Sequence, residues 1–227
     1  MILLTIDTSG KQGSLGLSRR DEQGIHVLAA ESLTSGQYSA ELIPKFAAML
    51  DRAALKKSDM HAFAVVAGPG SFTGLRVGLA AAKGFAEALN KPLTALSTLE
   101  LIAAASQRES GSVVAAMDAG RSEIFLGHCE IHPKLEIRTL AELLVKQSEL
   151  GDRVRELRAP MIVADEKIAS FAREARLDVQ DIPAPGVELA AALAFAQLDR
   201  GVTVRPDDLD ANYIRRSDAE IFSATNL

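Results

Sequence analysis

The stretch Gly68-Pro69-Gly70-Ser71-Phe72-Thr73-Gly74-Leu75-Arg76-Val77-Gly78 decides how this chain is read. An apolar run over 62–67 feeds a glycine turn, and the turn opens a helix that the spacing extends to about Leu89. Asn90, which tolerates the left-handed conformation, and Pro92 stop it. Leu75, Leu79, Ala82, Phe85, Ala86 and Leu89 recur at helical spacing as one apolar stripe, while Gly74, Val77, Ala81, Gly84 and Ala88 make a second face of small residues. Only Arg76, Lys83 and Glu87 carry charge, and they share a narrow strip. A helix apolar nearly all round is buried on more than one side. Each interior glycine costs about 1 kcal/mol against alanine, so close backbone approach is expected: one side on the helix's own sheet, the other on a second protein.

The glycine turn fits neither named nucleotide pattern. A Walker loop needs Gly-Lys-Ser/Thr after Gly and four residues, but the fifth position beyond Gly68 is Thr73 and no Gly-Lys follows. A dinucleotide turn needs glycine three after Gly70, which is again Thr73. A helix N-terminus can bind an anion through free amides, yet a tight turn with close packing explains the same residues more simply.

Outward from this stretch, the chain falls into halves that echo each other. The first begins with a strand over 2–6 ending at Asp7-Thr8-Ser9-Gly10, then strands over 14–18 and 25–33 and a helix from about Ser39, with Leu42, Phe46, Met49 and Leu50 on one face. After the glycine helix come a strand over 93–96 and a helix from Ser97, where Ser97 and Glu100 have capping-box spacing. The second half restarts at Ser112: an apolar run ends at Asp118-Ala119-Gly120, as the first ends at Asp7, and an alternating strand follows over 123–127. A strand over 135–138 and a helix capped by Thr139 with Glu142 are then expected, followed by a strand over 161–164 and helices over 166–176 and 187–198. Strands interleaved with helices predict a duplicated α/β fold with mixed sheets. The lobes divide as 1–108 with 206–227, and 109–205. The tail Ala211-Asn212-Tyr213-Ile214-Arg215-Arg216 is expected to pack back on the first lobe.

Composition narrows the function. Hydrophobic residues make up 48% of the 227, enough for a substantial core, and the net charge of −5 argues against nucleic-acid binding by this chain alone. Arginines at 153, 155, 158, 173 and 176 are interleaved with acids and read as solvated helix faces. Cys129 is the sole cysteine, which excludes an internal disulfide and a thiolate cluster, and its alternating apolar context makes it a core thiol. The N-terminus reads as a strand rather than a leader, and no run approaches membrane-spanning length, so a cytoplasmic chain is expected. His128 and His132 have ligand-like spacing only on a helix; on the strand predicted there they stand about 13 Å apart. Asp7 and Asp118, each at a strand end beside a turn, are the best carboxylate pair, in the position where open α/β sheets bind ligands. Capping their own turns is an equal explanation. No catalytic triad or paired-carboxylate motif stands out.

Four blocks in order carry a family resemblance: Ile6-Asp7-Thr8-Ser9; Gly68 to Gly78 with Ala82-Lys83-Gly84; Asp118-Ala119-Gly120-Arg121 with Glu123; and Tyr213-Ile214-Arg215 with Ala219-Glu220. Together they resemble the TsaB (YeaZ) family of tRNA threonylcarbamoyladenosine biosynthesis. The resemblance implies an actin/Hsp70/sugar-kinase-like (ribonuclease H-like) fold of duplicated lobes. It also implies a non-catalytic subunit that binds TsaD and acts with TsaE in forming N6-threonylcarbamoyladenosine at position 37 of tRNAs reading codons that begin with A. It implies a homodimer through the same face and tRNA contact only through the complex. No cofactor is required by the chain itself, with ATP or ADP expected, if anywhere, at the complex junction. The implied partner interface is Tyr38, Ser39, Leu42, Ser71, Phe72, Thr73, Gly74, Leu75, Arg76, Gly78, Ala81 and Ala82; Tyr38 departs from the histidine usual there. Asp7, Thr8, Ser9 and Asp118 are the candidate remnant of a nucleotide site. The catalytic sibling's His-x-x-x-His metal motif corresponds here to Thr98 and Ile102, which cannot replace it. The competing readings are an autonomous ATPase of the sugar-kinase-like superfamily, built on those acids, and a glycopeptidase, for which the sequence offers neither metal ligands nor a nucleophile.

Overall fold

The computed structural model describes residues 1–214; Arg215, Ala219 and Glu220 of the last motif, and Arg216 of the tail, lie outside them. Strands β1 (Ile2–Asp7), β2 (Gln12–Asp21) and β3 (Gly24–Thr34) form an antiparallel meander. Helix α1 (Tyr38–Arg52) leads to β4 (Ala62–Gly68), which joins β1 in parallel, and α2 (Phe72–Leu89) leads to β5 (Leu93–Ser97), parallel to β4. Helix α3 (Thr98–Ala104) closes the half.

The second half repeats this order element by element. Strands β6 (Gly111–Gly120), β7 (Glu123–His132) and β8 (Glu136–Lys146) form a second antiparallel meander, followed by α4 (Leu150–Leu157), β9 (Met161–Val163), α5 (Glu166–Glu174), β10 (Val179–Asp181) and α6 (Val187–Asp199). The sheets have matching five-strand orders, β3-β2-β1-β4-β5 and β8-β7-β6-β9-β10. The helix expected from Thr139 is instead the long strand β8, paired with β7 along its length, and the half's first helix starts only at Leu150.

Alternation along the strands builds separate cores on the faces of each sheet. Leu4 and Ile6 of β1 and Phe63, Val65 and Ala67 of β4 face α1 and α2; Leu3, Ala62, Ala64 and Val66 face α6. In the second sheet Val114, Ala116 and Leu126 pack on α4 and α5, while Val113, Ala115 and Cys129 pack on α3. Each half therefore lends its last helix to the other. Helix α6, which the division at 108 and 205 assigns to the second lobe, packs on the first sheet, and α3 packs on the second. Cys129 is a core thiol, pushed up to about 12 by burial. Among the described residues no helix is long and apolar enough to cross a membrane.

Candidate functional site

Helix α2 is seated on the first β-turn by missing side chains. Ser71 caps it, accepting from the Gly74 amide at 3.3 Å, while the Ser71 amide donates to the Ser9 carbonyl at 2.7 Å. Thr8 Oγ1 donates to the Gly74 carbonyl at 2.8 Å. A Cβ on Gly74 would stand 2.1 Å from the Thr8 carbonyl oxygen, and one on Gly78 2.3 Å from Thr8 Oγ1. Tyr38, buried at the start of α1, donates its hydroxyl to the Gly10 carbonyl at 2.8 Å and closes the same turn from the other side.

This seat commits most of the candidate nucleotide-site residues to the protein itself. Thr8 is bonded to α2, and Ser9 donates both its amide (2.8 Å) and its hydroxyl (2.7 Å) to Asp7 Oδ1. Burial pushes the Asp7 carboxyl up, and the bonds from Ser9 pull it back part of the way. Asp118 is exposed on β6 and accepts from the Gly120 amide at 2.9 Å, the turn-capping role. The histidines His128 and His132 lie four apart on strand β7; His128 Nε2 is 2.6 Å from Ser112 Oγ, and His132 Nε2 is 3.3 Å from Glu130.

The outer side of α2 is different. Between α1 and α2 runs an open groove of about 560 Å³, walled by Ser39, Leu42 and Ile43 from α1 and by Phe72, Thr73, Arg76, Val77, Ala80 and Ala81 from α2. Ile43 is 61% exposed and Phe72 43%. Arg76 lies over the Phe72 ring, its Cζ 3.7 Å from the centroid, and its Nε donates to the Tyr213 hydroxyl at 3.1 Å. Phe72 and Tyr213 are themselves in ring contact, with centroids 5.1 Å apart. A second, polar cleft of about 600 Å³, between the β6–β7 turn, the end of β8 and α5, is lined by both signs of charge, including Arg121, Lys146, Glu123 and Glu174.

The expected interface thus divides by depth. Ser39, Phe72, Thr73, Arg76 and Ala81 line the groove, Leu42 forms its floor, and Ser71 is exposed at its end. Tyr38, Gly74, Leu75, Gly78 and Ala82 are buried within the lobe, because the seat on Thr8 and the sheet consumes that side of the helices. Ile43 and Ala80 were not expected. Ile43 had a signal: it is a large apolar residue standing beside, rather than on, the Leu42–Phe46–Met49 stripe.

Two matching β-β-β-α-β-α-β-α halves with exchanged last helices define a duplicated actin/ribonuclease H-like protein, and its most distinctive surface is an apolar groove between helices. Residues 31–200 match the family model described as TsaD, tRNA N6-adenosine threonylcarbamoyltransferase, and the chain belongs to that family, among its TsaB/YeaZ members. It is 24% identical over 225 residues to the tRNA threonylcarbamoyladenosine biosynthesis protein TsaB of Escherichia coli, an alignment covering 96% of each chain. It is 32% identical over 129 residues to the protein of the same name from Bacillus subtilis, covering 56% of this chain and 54% of that one. Among solved structures, YeaZ from Pseudomonas aeruginosa superposes with a TM-score of 0.69 at 23% identity, over 93% of this chain and 100% of that one.

Proposed function

We propose that this chain is the activating, non-catalytic subunit of a tRNA threonylcarbamoyladenosine synthase. It docks TsaD through the α1–α2 groove and works with TsaE on adenosine 37 of tRNAs reading codons that begin with A. The observation that carries this reading is the groove itself, an exposed apolar surface with Ile43 and Phe72 standing in solvent at its edges. Surfaces of this kind, rimmed by polar residues, mark protein-protein contacts. The non-catalytic role is supported by α3, where the family resemblance sets Thr98 and Ile102 against the catalytic sibling's histidines, and Ile102 is core. The chain needs no cofactor of its own, meets tRNA only through the complex in the cytoplasm, and forms a homodimer that competes for the same groove. ATP or ADP, where present, sits at the complex junction.

The test is threonylcarbamoyladenosine synthesis from purified TsaD, TsaE and this chain of one organism, with omission of each. Product should require this chain, and the chain alone should make none. Ile43→Asp, placing a charge in the groove at a solvent-exposed position, should leave the fold intact and reduce TsaD binding on the order of 100-fold, because docking would bury an unpaired carboxylate against apolar surface. Equal synthesis without the chain would reject the subunit role. ATP turnover by the chain alone, abolished by Asp7→Ala, would favour the ATPase reading instead.

A further inference from the structure

Helix α2 contains one glycine that nothing among the described residues explains. Gly74 and Gly78 must lack a Cβ because Thr8 stands in the way, but a Cβ on Gly84 would meet no atom of the described residues within 4 Å. Gly84 lies in the interior of an 18-residue helix and is exposed, where glycine is a poor helix former and alanine would fit. It follows Ala80 by one turn and Val77 by two, so it continues the groove wall along the outer face of the helix. A glycine of this kind is suited to close approach by another backbone.

Arg76 flanks the same face. Phe72 and Tyr213 hold its guanidinium in place, Nε is taken, and no carboxylate pairs with it among the described residues. Glu41, the acid in the first turn of α1, is engaged by Lys45 and by the Thr34 amide. A partner that covers the groove also covers this cation, and burying it unpaired is strongly unfavourable. The fixed fork is ready for a bidentate carboxylate with little ordering left to do.

We propose that a backbone segment of the docked partner passes α2 at Gly84, seated where a methyl group would otherwise stand, and that this segment carries an acidic side chain opposite Arg76. The proposal rests on the docking reading above and specifies the geometry and chemistry of its occupant. Its signature is a substitution that improves the free protein and harms the complex. Gly84→Ala should raise the melting temperature of the free chain by about 2–4 °C and weaken TsaD binding about tenfold by titration calorimetry. Arg76→Glu should weaken binding at least about tenfold at low salt, with Arg76→Lys intermediate. A lower melting temperature in Gly84→Ala would assign the glycine an internal role and overturn the crossing point. Unchanged affinity in Gly84→Ala, with Ile43→Asp defective, would overturn it while leaving the groove as the docking site. Unchanged affinity in Arg76→Glu would remove the acidic partner residue. Normal binding by all of these variants would defeat the docking reading as well.

Discussion

Thr8 determines the identity of positions far away in the chain. Its carbonyl excludes a side chain at residue 74, its hydroxyl excludes one at 78, and the same hydroxyl bonds the Gly74 carbonyl at 2.8 Å. Gly78→Ala should therefore cost about 1–3 kcal/mol by overpacking. Gly74→Ala should cost more, since the obstacle is a backbone oxygen that cannot rotate aside. Urea denaturation measures both, and an unchanged midpoint for Gly78→Ala would mean that Thr8 yields without penalty. This is where residue-level legibility ended. Glycines at helical spacing announced close approach correctly, but a helical wheel reports angle and not depth. It could not say that Gly74 and Gly78 face a turn more than sixty residues upstream while Gly84 faces open space. Ser39, Phe72, Thr73 and Arg76 entered the expected interface through the family resemblance, together with the buried Gly74 and Gly78, so the resemblance did not separate depth either.

At the scale of elements, β8 was misread as a helix and the short edge strand β10 was not foreseen. The β8 segment contains a threonine and a glutamate with capping-box spacing before an apolar run, a helix-start pattern that is local. Pairing with β7 from Glu136 to Lys146 overrides it, and both would-be capping residues are spent on contacts with other elements. Thr139 donates to Glu100 of α3 at 2.9 Å, and Glu142 accepts from Asn212 at 2.9 and 2.8 Å. The capping box at α3 is likewise half present: Ser97 accepts from the Glu100 amide at 3.4 Å, but the Glu100 carboxylate turns to Thr139. Burial pushes the Glu100 carboxyl up, the Thr139 bond lowers it, and Glu142 raises it again, with Arg200 opposing. A carboxyl raised in the folded state contributes stability below its unfolded value and loses it as pH rises through the folded value. Glu100→Gln keeps an oxygen to accept from Thr139 and removes the charge. Its melting temperature should match the wild type in acid, above the onset of general acid unfolding, and exceed it progressively from the ordinary glutamate range upward. Parallel pH profiles of the two proteins would show that Glu100 carries no such penalty.

The whole molecule is tied by exchange and by a strap. Duplication was legible from the repeated apolar-run–acid–turn pattern, because each half encodes its own strands. The crossing of α3 and α6 was not, since an alanine-rich helix apolar on all sides, as α6 is, names no sheet of its own. Residues 211–214 fasten the result. The Asn212 amide donates to the Ala67 carbonyl at the end of β4 at 2.8 Å, its side chain holds both oxygens of Glu142 on β8, and the neighbouring Tyr213 anchors Arg76 on α2. One short segment thus touches the first sheet, the second sheet and the docking groove. Asn212→Ala keeps the backbone bond to β4 and deletes the link to β8, leaving a partly buried carboxylate without its donor. The expected loss is about 1–3 kcal/mol, read as a lower urea midpoint. Tyr213→Phe, which retains the ring on Phe72 and removes only the acceptor for Arg76, should stay within about 0.5 kcal/mol of wild type, as surface changes do. If the strap couples the lobes, the loss in Asn212→Ala should shrink to near zero in a Glu142→Leu background, where no carboxylate remains to be orphaned. A loss of the same size in both backgrounds would show that it does not come through Glu142 and leave the lobes held by α3 and α6.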